Sequence, residues 1–482
     1  MQVDSVPTLH LRLAVSSLLA LFAGNASATS TTIWERVADK CVSAFLSDAV
    51  PGAQVSVVVD RQLVFQKGYG VTSTSLGRPT DANTLFRAGS TQKMMTAAAL
   101  LTQKDEGRLQ LDDSLARWVP ELRLAGAWRT NQITLHHLLD HSSGLPNSDS
   151  TENCVTDDNT LSARAAALSG TKLFSRPGAI WNYSNDGYSL AGLVAERAAH
   201  MPYTSLIRDR VWHRAGMMQT MLRVEDAMAY GNVSHGHVGN ASGQIVSLPP
   251  DAYQCGWSFP AGDAFTTAGD MARWSIMLMS DGGNTLSPSS AQAILSPSLD
   301  TYLPSGDKYG FGTFITDIGG TQFVHHGGRT PGWAASLLLI PADGFSVSTL
   351  TNGEGGAGEI SQCLIKETLN VSWPDSGSSE TPPASWRKYA GIYSVTYDSG
   401  EQSVGFVYLD GQRLRLTTYD PSRRQWLKLE AKQVHLDSFF IDLDGDGELS
   451  ADHELITFIQ KRATEGPGMW LRSLAFVGNR TY

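Results

Sequence analysis

A change in hydrophobic periodicity near residue 385 divides the 482-residue chain into two parts that must fold differently. Residues 375–385 (DSGSSETPPAS) are small, polar or proline, which is the composition of a linker. Beyond the linker, apolar and polar residues alternate on both sides of an Asp-Gly turn, at Val404, Phe406, Tyr408, Asp410-Gly411, Leu414 and Leu416. This period of two predicts a hairpin, and residues 386–482 are predicted to form a separate antiparallel β-domain, a small barrel.

The part before the linker combines helical and strand patterns. Apolar residues on one stripe predict a first helix over residues 31–46, with Ile33, Val37, Cys41 and Phe45 facing inward. Two short strands are predicted within residues 53–66, and Val324 and residues 337–340 are predicted to be strands around a glycine-rich segment. Further helices are predicted over residues 91–103, 188–199, 270–278 and 360–369.

The first 28 residues have the pattern of a secretory signal peptide. Arg12 precedes a short apolar run over residues 13–22, and Ala26-Ser27-Ala28 fits a small-residue cleavage site. The run is too short to span a bilayer, and the rest of the sequence has no candidate span. We therefore expect a secreted or periplasmic protein with a main domain over residues 29–374; an uncleaved anchor is the alternative.

The net charge limits the classes of partner that are expected, and the cysteine content bears on the redox state of the compartment. The net charge of −10 does not favour nucleic acid or an anionic membrane as a partner. An even number of cysteines in an exported protein predicts two disulfides with three possible pairings, and free buried thiols are the alternative. The cysteines are Cys41, Cys154, Cys255 and Cys363. Glycosylation sequons begin at Asn232, Asn240, Asn370 and Asn479, and they matter only in a source that glycosylates proteins.

The strongest chemical candidate is Ser90, in the stretch Phe86-Arg-Ala-Gly-Ser-Thr-Gln-Lys-Met-Met95. Gly89 allows a turn that places Ser90 at the start of a helix. Residues three apart are neighbours on a helix, so the ammonium of Lys93 can reach the Ser90 hydroxyl. A serine hydroxyl needs a nearby base or cation to act as a nucleophile. A capping serine with a surface lysine is the structural alternative.

Two further stretches carry reactive side chains. Tyr183 and Asn185 precede a helix; a tyrosine close to cations could act as a base, and the asparagine could bind a substrate carbonyl or cap the helix. His325-His326-Gly327-Gly328-Arg329 contains glycines that would let a substrate lie against a strand edge. A structural histidine pair, metal ligands or a simple turn are the alternatives there.

These stretches resemble, in order and spacing, the motifs of the serine β-lactamase-like superfamily. That superfamily includes penicillin-binding proteins, class C β-lactamases, D-amino-acid peptidases and esterases, and Ser-x-x-Lys is among its signatures. The resemblance covers roughly residues 31–369 and also includes residues 141–146 and 267–274. It implies an α+β fold: an antiparallel sheet flanked by the first and last helices of the domain, with an all-helical lobe beside it.

The resemblance also implies a role for each motif residue. Ser90 would accept the acyl group, and Lys93 and Tyr183 would remove and relay its proton, with Lys93 buried between them. Asn185 would position the substrate and Lys93. His326 stands where the family has Lys or His in a motif completed by Gly328. The backbone N–H groups of Ser90 and Arg329 would form the oxyanion hole.

The implied fold places Cys41 and Cys363 on two packed helices, so we expect them to pair, which leaves Cys154 to pair with Cys255. Two departures from class C β-lactamases are visible. His326 replaces a lysine, as in esterase and D-aminopeptidase branches, and the β-domain resembles the lipocalin-like appendage of some of those relatives. We therefore expect a serine hydrolase acting on an ester or amide, with an acyltransferase, a β-lactamase or a penicillin-recognising sensor as alternatives.

Metal chemistry has weaker support in the sequence. His235-Gly236-His237 lacks the residues that complete the metallo-β-lactamase pattern, and no metal is expected in catalysis. In the β-domain, residues 442–454 match an EF-hand loop at its first positions, but His453 stands where the bidentate Glu belongs. Calcium binding is therefore a hypothesis, with an acidic hairpin tip as the alternative; its candidate ligands are Asp442, Asp444, Asp446 and Glu448.

Overall fold

The computed structural model describes most of the chain in two parts, a mixed α/β domain and a closed β-barrel. The described residues are 28–147, 154, 157, 159–240, 242–303, 305–371, 373, 383–397, 401–420, 424–435, 437–442, 453–460, 469–473 and 476–480. The predicted signal peptide, except its last residue, and most of the predicted linker lie outside these residues. Within them, no helix is long and apolar enough to cross a membrane.

The first domain is organised around an eight-stranded antiparallel sheet in the order β2-β1-β12-β11-β10-β9-β8-β7. Its strands are β1 Gly52–Val59, β2 Gln62–Gly70, β7 Leu299–Asp300, β8 Lys308–Tyr309, β9 Phe314–Ile318, β10 Thr321–Thr330, β11 Trp333–Ile340 and β12 Phe345–Thr351. Two-stranded pairs are formed by β3 Phe86–Arg87 with β6 Phe265–Thr266, and by β4 Gly236–Gly239 with β5 Ile245–Leu248. The central strands β1 and β12 are buried almost throughout because helices cover both faces.

Helices surround this sheet and form a lobe beside it. They are α1 Ala28–Ser43, α2 Lys93–Asp105, α3 Leu115–Trp118, α4 Leu135–Leu139, α5 Thr160–Ala167, α6 Asn185–Ala199, α7 Tyr203–Leu206, α8 Val224–Tyr230, α9 Phe259–Gly262, α10 Ala268–Met279, α11 Pro288–Ile294 and α12 Ala357–Leu369. The first and last, α1 and α12, pack on one face, where a Cys41–Cys363 disulfide joins them. Helix α10 packs on the other face, where the Ser56 hydroxyl donates to the Ala268 carbonyl at 2.7 Å.

Three of the four residues on the predicted inward stripe pack against the core, namely Val37, Cys41 and Phe45, but Ile33 does not. Trp34, Ala38 and Cys41 are buried against the sheet, whereas Ile33 is 39% exposed. The helix also ends at Ser43, so Phe45 lies beyond it. Trp34 takes the inward position predicted for Ile33, and it packs on Phe345 with ring centroids 6.2 Å apart.

The glycine-rich segment after Val324 is itself a strand, not a break between strands. Strand β10 pairs with β11 from Val324 to Thr330, and the chain turns only between Thr330 and Trp333. Glycine is unfavourable in a strand by propensity, and a glycine inside one usually marks close approach of another backbone. That approach comes from the turn that carries Ser90.

The second part is a closed antiparallel barrel of eight strands in sequential order. A short 3₁₀ helix, Pro383–Tyr389, precedes it. Its interior holds a core of large side chains that includes Tyr389, Tyr393, Phe439 and Phe458. The strands are β13 Gly391–Tyr397, β14 Gln402–Asp410, β15 Arg413–Asp420, β16 Gln425–His435, β17 Ser438–Asp442, β18 His453–Gln460, β19 Met469–Arg472 and β20 Phe476–Arg480. The hairpin predicted around Asp410-Gly411 is the β14–β15 pair.

Candidate active site

Ser90 lies in a 3₁₀ turn, Gly89–Gln92, that runs directly into α2 and packs against β10. Gly89 has a φ of +52°, which a residue with a side chain rarely adopts. A Cβ on Gly89 would lie 2.4 Å from the amide nitrogen of Arg329, and one on Gly328 would lie 2.1 Å from the carbonyl oxygen of Ala88. Two glycines therefore let the serine turn and the strand meet backbone to backbone.

Lys93 is the first residue of α2, and its side chain is fully buried. Its Nζ atom lies 3.0 Å from Ser90 Oγ, 2.7 Å from Asn185 Oδ1 and 2.7 Å from the carbonyl oxygen of Ala261. These three contacts hold the lysine nitrogen in one orientation, pointing at the serine. The structure thus places Lys93 as a buried partner of Ser90.

Tyr183 approaches Ser90 from the loop before α6. Its hydroxyl lies 2.9 Å from Ser90 Oγ, and its ring centroid lies 4.8 Å from Lys93 Nζ. The residues of this loop are held in place by Ser184, which caps α6 by accepting from the Gly187 amide at 3.1 Å. Since Ser184 is the N-cap, the capping alternative for Asn185 does not hold, and the Asn185 side chain is left to bind Lys93.

His326 is buried beside these residues and is held as a neutral ring. Its Nδ1 contacts the carbonyl oxygen of Gly327, which can only accept, so Nδ1 carries the proton and Nε2 accepts from the Tyr309 hydroxyl at 3.0 Å. Burial, with a smaller contribution from Lys93, lowers the pKa of His326 to about 3. Its ring centroid lies 6.4 Å from that of Tyr183. His326 therefore provides no fixed positive charge at this position.

The two amide groups predicted to form an oxyanion hole belong to backbones in contact. Arg329 follows Gly328 on β10, and the close approach at Gly89 brings its amide nitrogen next to the serine turn. The Arg329 side chain points elsewhere, since its Nη2 donates to the Glu354 carbonyl at 2.8 Å. A helix start and a strand edge that meet in this way bring N–H donors close together, which is the arrangement that an oxyanion hole requires.

Two residues without a predicted role complete the site. His141 is buried with its ring centroid 4.3 Å from that of Tyr183, and its Nδ1 accepts from the Ser184 amide at 3.1 Å. Burial lowers the pKa of His141 well below its usual value, so the ring supports Tyr183 as a neutral group. Tyr309 binds His326 from β8. The motif at residues 141–146 could have indicated His141, but Tyr309 stands in no recognisable pattern.

The second disulfide, Cys154–Cys255, fastens a segment that leads into the site. Residue 255 lies just before α9, whose Ala261 carbonyl binds Lys93. Arg87 also holds this segment, since its side chain is 1% exposed and donates to the carbonyls of Pro250 and Tyr253. Both predicted disulfides are thus present in the structure. The calcium candidates beyond Asp442 lie outside the described residues.

The fold and this arrangement of Ser90, Lys93 and Tyr183 define a class: the serine β-lactamases and penicillin-binding proteins. A family model described as Beta-lactamase matches residues 38–364. The chain therefore belongs to the Beta-lactamase family, which is part of a superfamily of serine hydrolases.

Individual relatives agree with this placement. Penicillin-binding protein 4 of Amycolatopsis lactamdurans is 27% identical over 328 residues, which are 66% of this chain and 85% of the relative. Protein flp of Staphylococcus aureus (strain MW2) is 26% identical over 304 residues, 63% of this chain but only 60% of the relative.

Solved structures share the fold over more of the chain. A crystal structure of SurE has a TM-score of 0.71 at 21% identity and covers 97% of this chain and 99% of its own. An octameric penicillin-binding protein homologue from Pyrococcus abyssi has a TM-score of 0.62 at 21% identity, covering 92% and 99%. A class C β-lactamase has a TM-score of 0.58 at 19% identity but covers 69% of this chain and 96% of its own.

Proposed function

We propose that this protein is a secreted serine hydrolase that cleaves an ester or amide through an acyl-enzyme on Ser90. One observation carries the proposal: Ser90 Oγ lies within hydrogen-bonding distance of two groups, each of which can take its proton once that group has lost its own. The Lys93 Nζ atom is 3.0 Å away and the Tyr183 hydroxyl is 2.9 Å away. A structural serine has no need of a fully buried lysine held by three acceptors.

The proposed reaction proceeds in two steps. Ser90 Oγ attacks the acyl carbon while its proton passes to the Tyr183–Lys93 pair, and the amides of Ser90 and Arg329 stabilise the negative charge on the acyl oxygen. The bond to the alcohol or amine breaks, and the leaving group takes that proton. Water then attacks the ester on Ser90, and its proton passes through the same pair before the serine is released.

The environment of His326 favours substrates without a carboxylate next to the scissile bond. A neutral ring whose Nε2 accepts from Tyr309 offers no charge to such a group. Simple esters and amides without such a carboxylate fit better than penicillins or peptides with a free C-terminus. D-amino acids are worth testing, because one of the similar structures is SurE with D-Leu.

Export is part of the proposal. Its support is the pair of disulfides, Cys41–Cys363 and Cys154–Cys255, because such bonds persist in oxidising compartments. Expression with and without the first 28 residues, followed by N-terminal sequencing of the exported protein, tests it. A new N-terminus after Ala28 is expected; a retained Met1 would contradict cleavage.

Activity is tested with a substrate panel on the wild type and on the Ser90→Ala variant. The panel contains short acyl esters, D-amino-acid amides, a D-Ala-D-Ala peptide and a cephalosporin. We expect hydrolysis of esters or D-amino-acid amides that is lost in the variant, together with fluorophosphonate labelling of Ser90 only in the wild type. Equal labelling of both proteins would refute the assignment of the nucleophile.

Two further measurements separate the alternatives. Product analysis with an added alcohol or amine reveals acyl transfer if the new ester or amide forms in preference to the acid. Stable labelling by a tagged penicillin without turnover of any substrate would indicate a penicillin-recognising protein instead of a hydrolase.

A further inference from the structure

A buried arginine of the barrel reaches the wall of the candidate active site. Arg472, at the end of β19, is 4% exposed. Its Nη1 donates to the carbonyl oxygen of Trp181 at 3.3 Å and to that of Thr301, and its Nη2 donates to Thr457 Oγ1 at 3.4 Å. The guanidinium carbon lies 5.1 Å from the centroid of a Trp181 ring. One side chain thus connects the barrel to two segments of the first domain.

The contact between the two parts excludes water around this arginine. Three residues of the first domain and three of the barrel form one buried apolar cluster: Phe174, Ala179, Ile180, Ile459, Trp470 and Val477. Trp470 and Arg472 lie on the same strand, so the cluster and the arginine belong to one interface. A hydrogen bond shielded from water in this way holds its geometry more firmly than an exposed one.

Burying a charged guanidinium at this interface costs desolvation free energy. Its partners are carbonyl and hydroxyl oxygens, while Asp300 attracts it only through space. Burial lowers the pKa of Arg472 to about 10, so the group is still charged at neutral pH. Tyr302 is the other titratable group that acts on it. An apolar side chain would fill the interface with a smaller desolvation penalty, so we look for a role in the hydrogen bonds that Arg472 donates.

The two carbonyls that Arg472 binds belong to the segments that carry Tyr183 and Tyr309. Trp181 is two residues before Tyr183, and their ring centroids lie 6.2 Å apart. Thr301 follows β7, which pairs with β8 through Leu299 and Tyr309. The Trp181 and Tyr309 ring centroids are 5.9 Å apart. Arg472 therefore joins the support of Tyr183 to the support of His326.

We propose that Arg472 is a positioning residue of the active site: by holding the carbonyls of Trp181 and Thr301, it lets the barrel set the orientation of Tyr183 toward Ser90. The planar guanidinium of an arginine suits this task, because Nη1 binds both carbonyls while Nη2 binds Thr457, whereas all donors of a lysine leave one freely rotating nitrogen. The inference rests on the proposed hydrolase function, and it makes the barrel a working part of the active site.

The test compares Arg472→Met and Arg472→Lys with Arg413→Met, a matched control. Arg413 is an exposed barrel arginine that binds Glu430. Saturation kinetics of Ser90 phosphonylation by a fluorophosphonate separate the maximal rate from the apparent affinity for the probe. Hydrogen exchange measured by mass spectrometry reports separately on the amides of residues 180–185, and this readout requires no activity.

In Arg472→Met we expect the maximal rate to fall at least about tenfold with an unchanged affinity for the probe. The amides of residues 180–185 should exchange at least about tenfold faster, while those of α2 and β14 keep their protection. Arg472→Lys should recover part of the rate, because its ammonium keeps donors for the carbonyls but lacks the second nitrogen that binds Thr457. The Arg413→Met control should behave as the wild type in both measurements.

Wild-type phosphonylation and exchange in Arg472→Met would overturn the inference. Exchange that rises equally throughout both parts, or a loss of probe affinity instead of rate, would also overturn it, because either indicates a purely structural role. Should Arg472→Met not fold, the same two criteria apply to Arg472→Lys, where wild-type values refute the proposal. If wild-type Ser90 does not react, the proposed function fails, and the exchange at residues 180–185 decides on Arg472.

Discussion

Replacing Tyr183 with phenylalanine tests the proposed proton transfer with the smallest possible change. The substitution removes one hydroxyl, the one that lies 2.9 Å from Ser90 Oγ. The ring keeps its packing on His141, with centroids 4.3 Å apart, and on Trp181, at 6.2 Å. Ser90 retains Lys93 as a partner but loses the group that completes the relay.

The size of the effect follows from what is lost. One partly exposed hydrogen bond contributes about 0.5–1.5 kcal/mol to stability, so the variant should fold normally. A positioned acid or base contributes about 10²–10⁴-fold to the rate. That range corresponds to about 2.7–5.4 kcal/mol of activation free energy. We therefore expect Tyr183→Phe to be folded but severely slowed in the acylation of Ser90.

The assay is the second-order rate constant of fluorophosphonate labelling, with urea unfolding as the measure of stability. Tyr188→Phe is the matched control, because its buried hydroxyl donates to the Leu139 carbonyl at 2.6 Å while its ring lies 5.6 Å from Lys93 Nζ. That control should lose about 1–3 kcal/mol of stability, more than Tyr183→Phe, yet keep most of its rate. A Tyr183→Phe rate within about threefold of the wild type would refute the relay.

Four further predictions follow from the same structure. Lys93→Arg should lose at least about 10²-fold in acylation rate because arginine cannot release its proton, and a labelling rate near that of the wild type would contradict this. Burial holds the pKa of His326 at about 3, so between about pH 6.5 and 3 the unfolded chain binds a proton that the folded one does not. The contribution of His326 to the free energy of unfolding should be complete above about pH 6.5 and fall by about 1.4 kcal/mol per pH unit below it. Urea unfolding of His326→Gln should therefore lose less stability at low pH than urea unfolding of the wild type. The same pH slope in both proteins would contradict the assignment. The Cys41–Cys363 disulfide joins residues 322 apart, for which chain entropy gives about 6 kcal/mol, while measured disulfides typically contribute about 2–4 kcal/mol. Replacing both cysteines with serine should therefore lower the free energy of unfolding by at least about 2 kcal/mol. Equal urea midpoints for the variant and the wild type would contradict that contribution. The candidate calcium ligands are Asp442, Asp444, Asp446 and Glu448. Titration calorimetry should show that the wild type binds calcium and that variants of these residues bind it more weakly. No heat of calcium binding in the wild type would refute the hypothesis.

The glycine-rich stretch around His326 could not be assigned correctly from the sequence. Its glycines suggested an interruption between strands, but they lie within β10 because the backbone of the Ser90 turn needs the space above Gly328. A single sequence contains no signal for which backbone will approach a glycine. In α1 the error was smaller: the helix and most of its inward face were predicted, but the buried residue at its start is Trp34 and not Ile33.

The sequence by itself determined the features that depend on local geometry. The spacing of Ser90 and Lys93 at a helix start placed their side chains within reach, and the period of two after residue 385 specified an antiparallel β-domain. The disulfide pairing followed from the resemblance to a known fold, which assigned Cys41 and Cys363 to packed helices. Local rules suffice in the first two cases because neighbours along the chain remain neighbours in space.

Only the tertiary structure decided the charge and the support of the site. His326 is neutral because folding buries it and brings the Tyr309 hydroxyl, from another strand, to its Nε2. Tyr183 is held on one side by His141 and, through Trp181, on the other by Arg472 from a different domain. The pKa of a histidine and the orientation of a tyrosine depend on which groups surround them, and those groups come from distant parts of the chain.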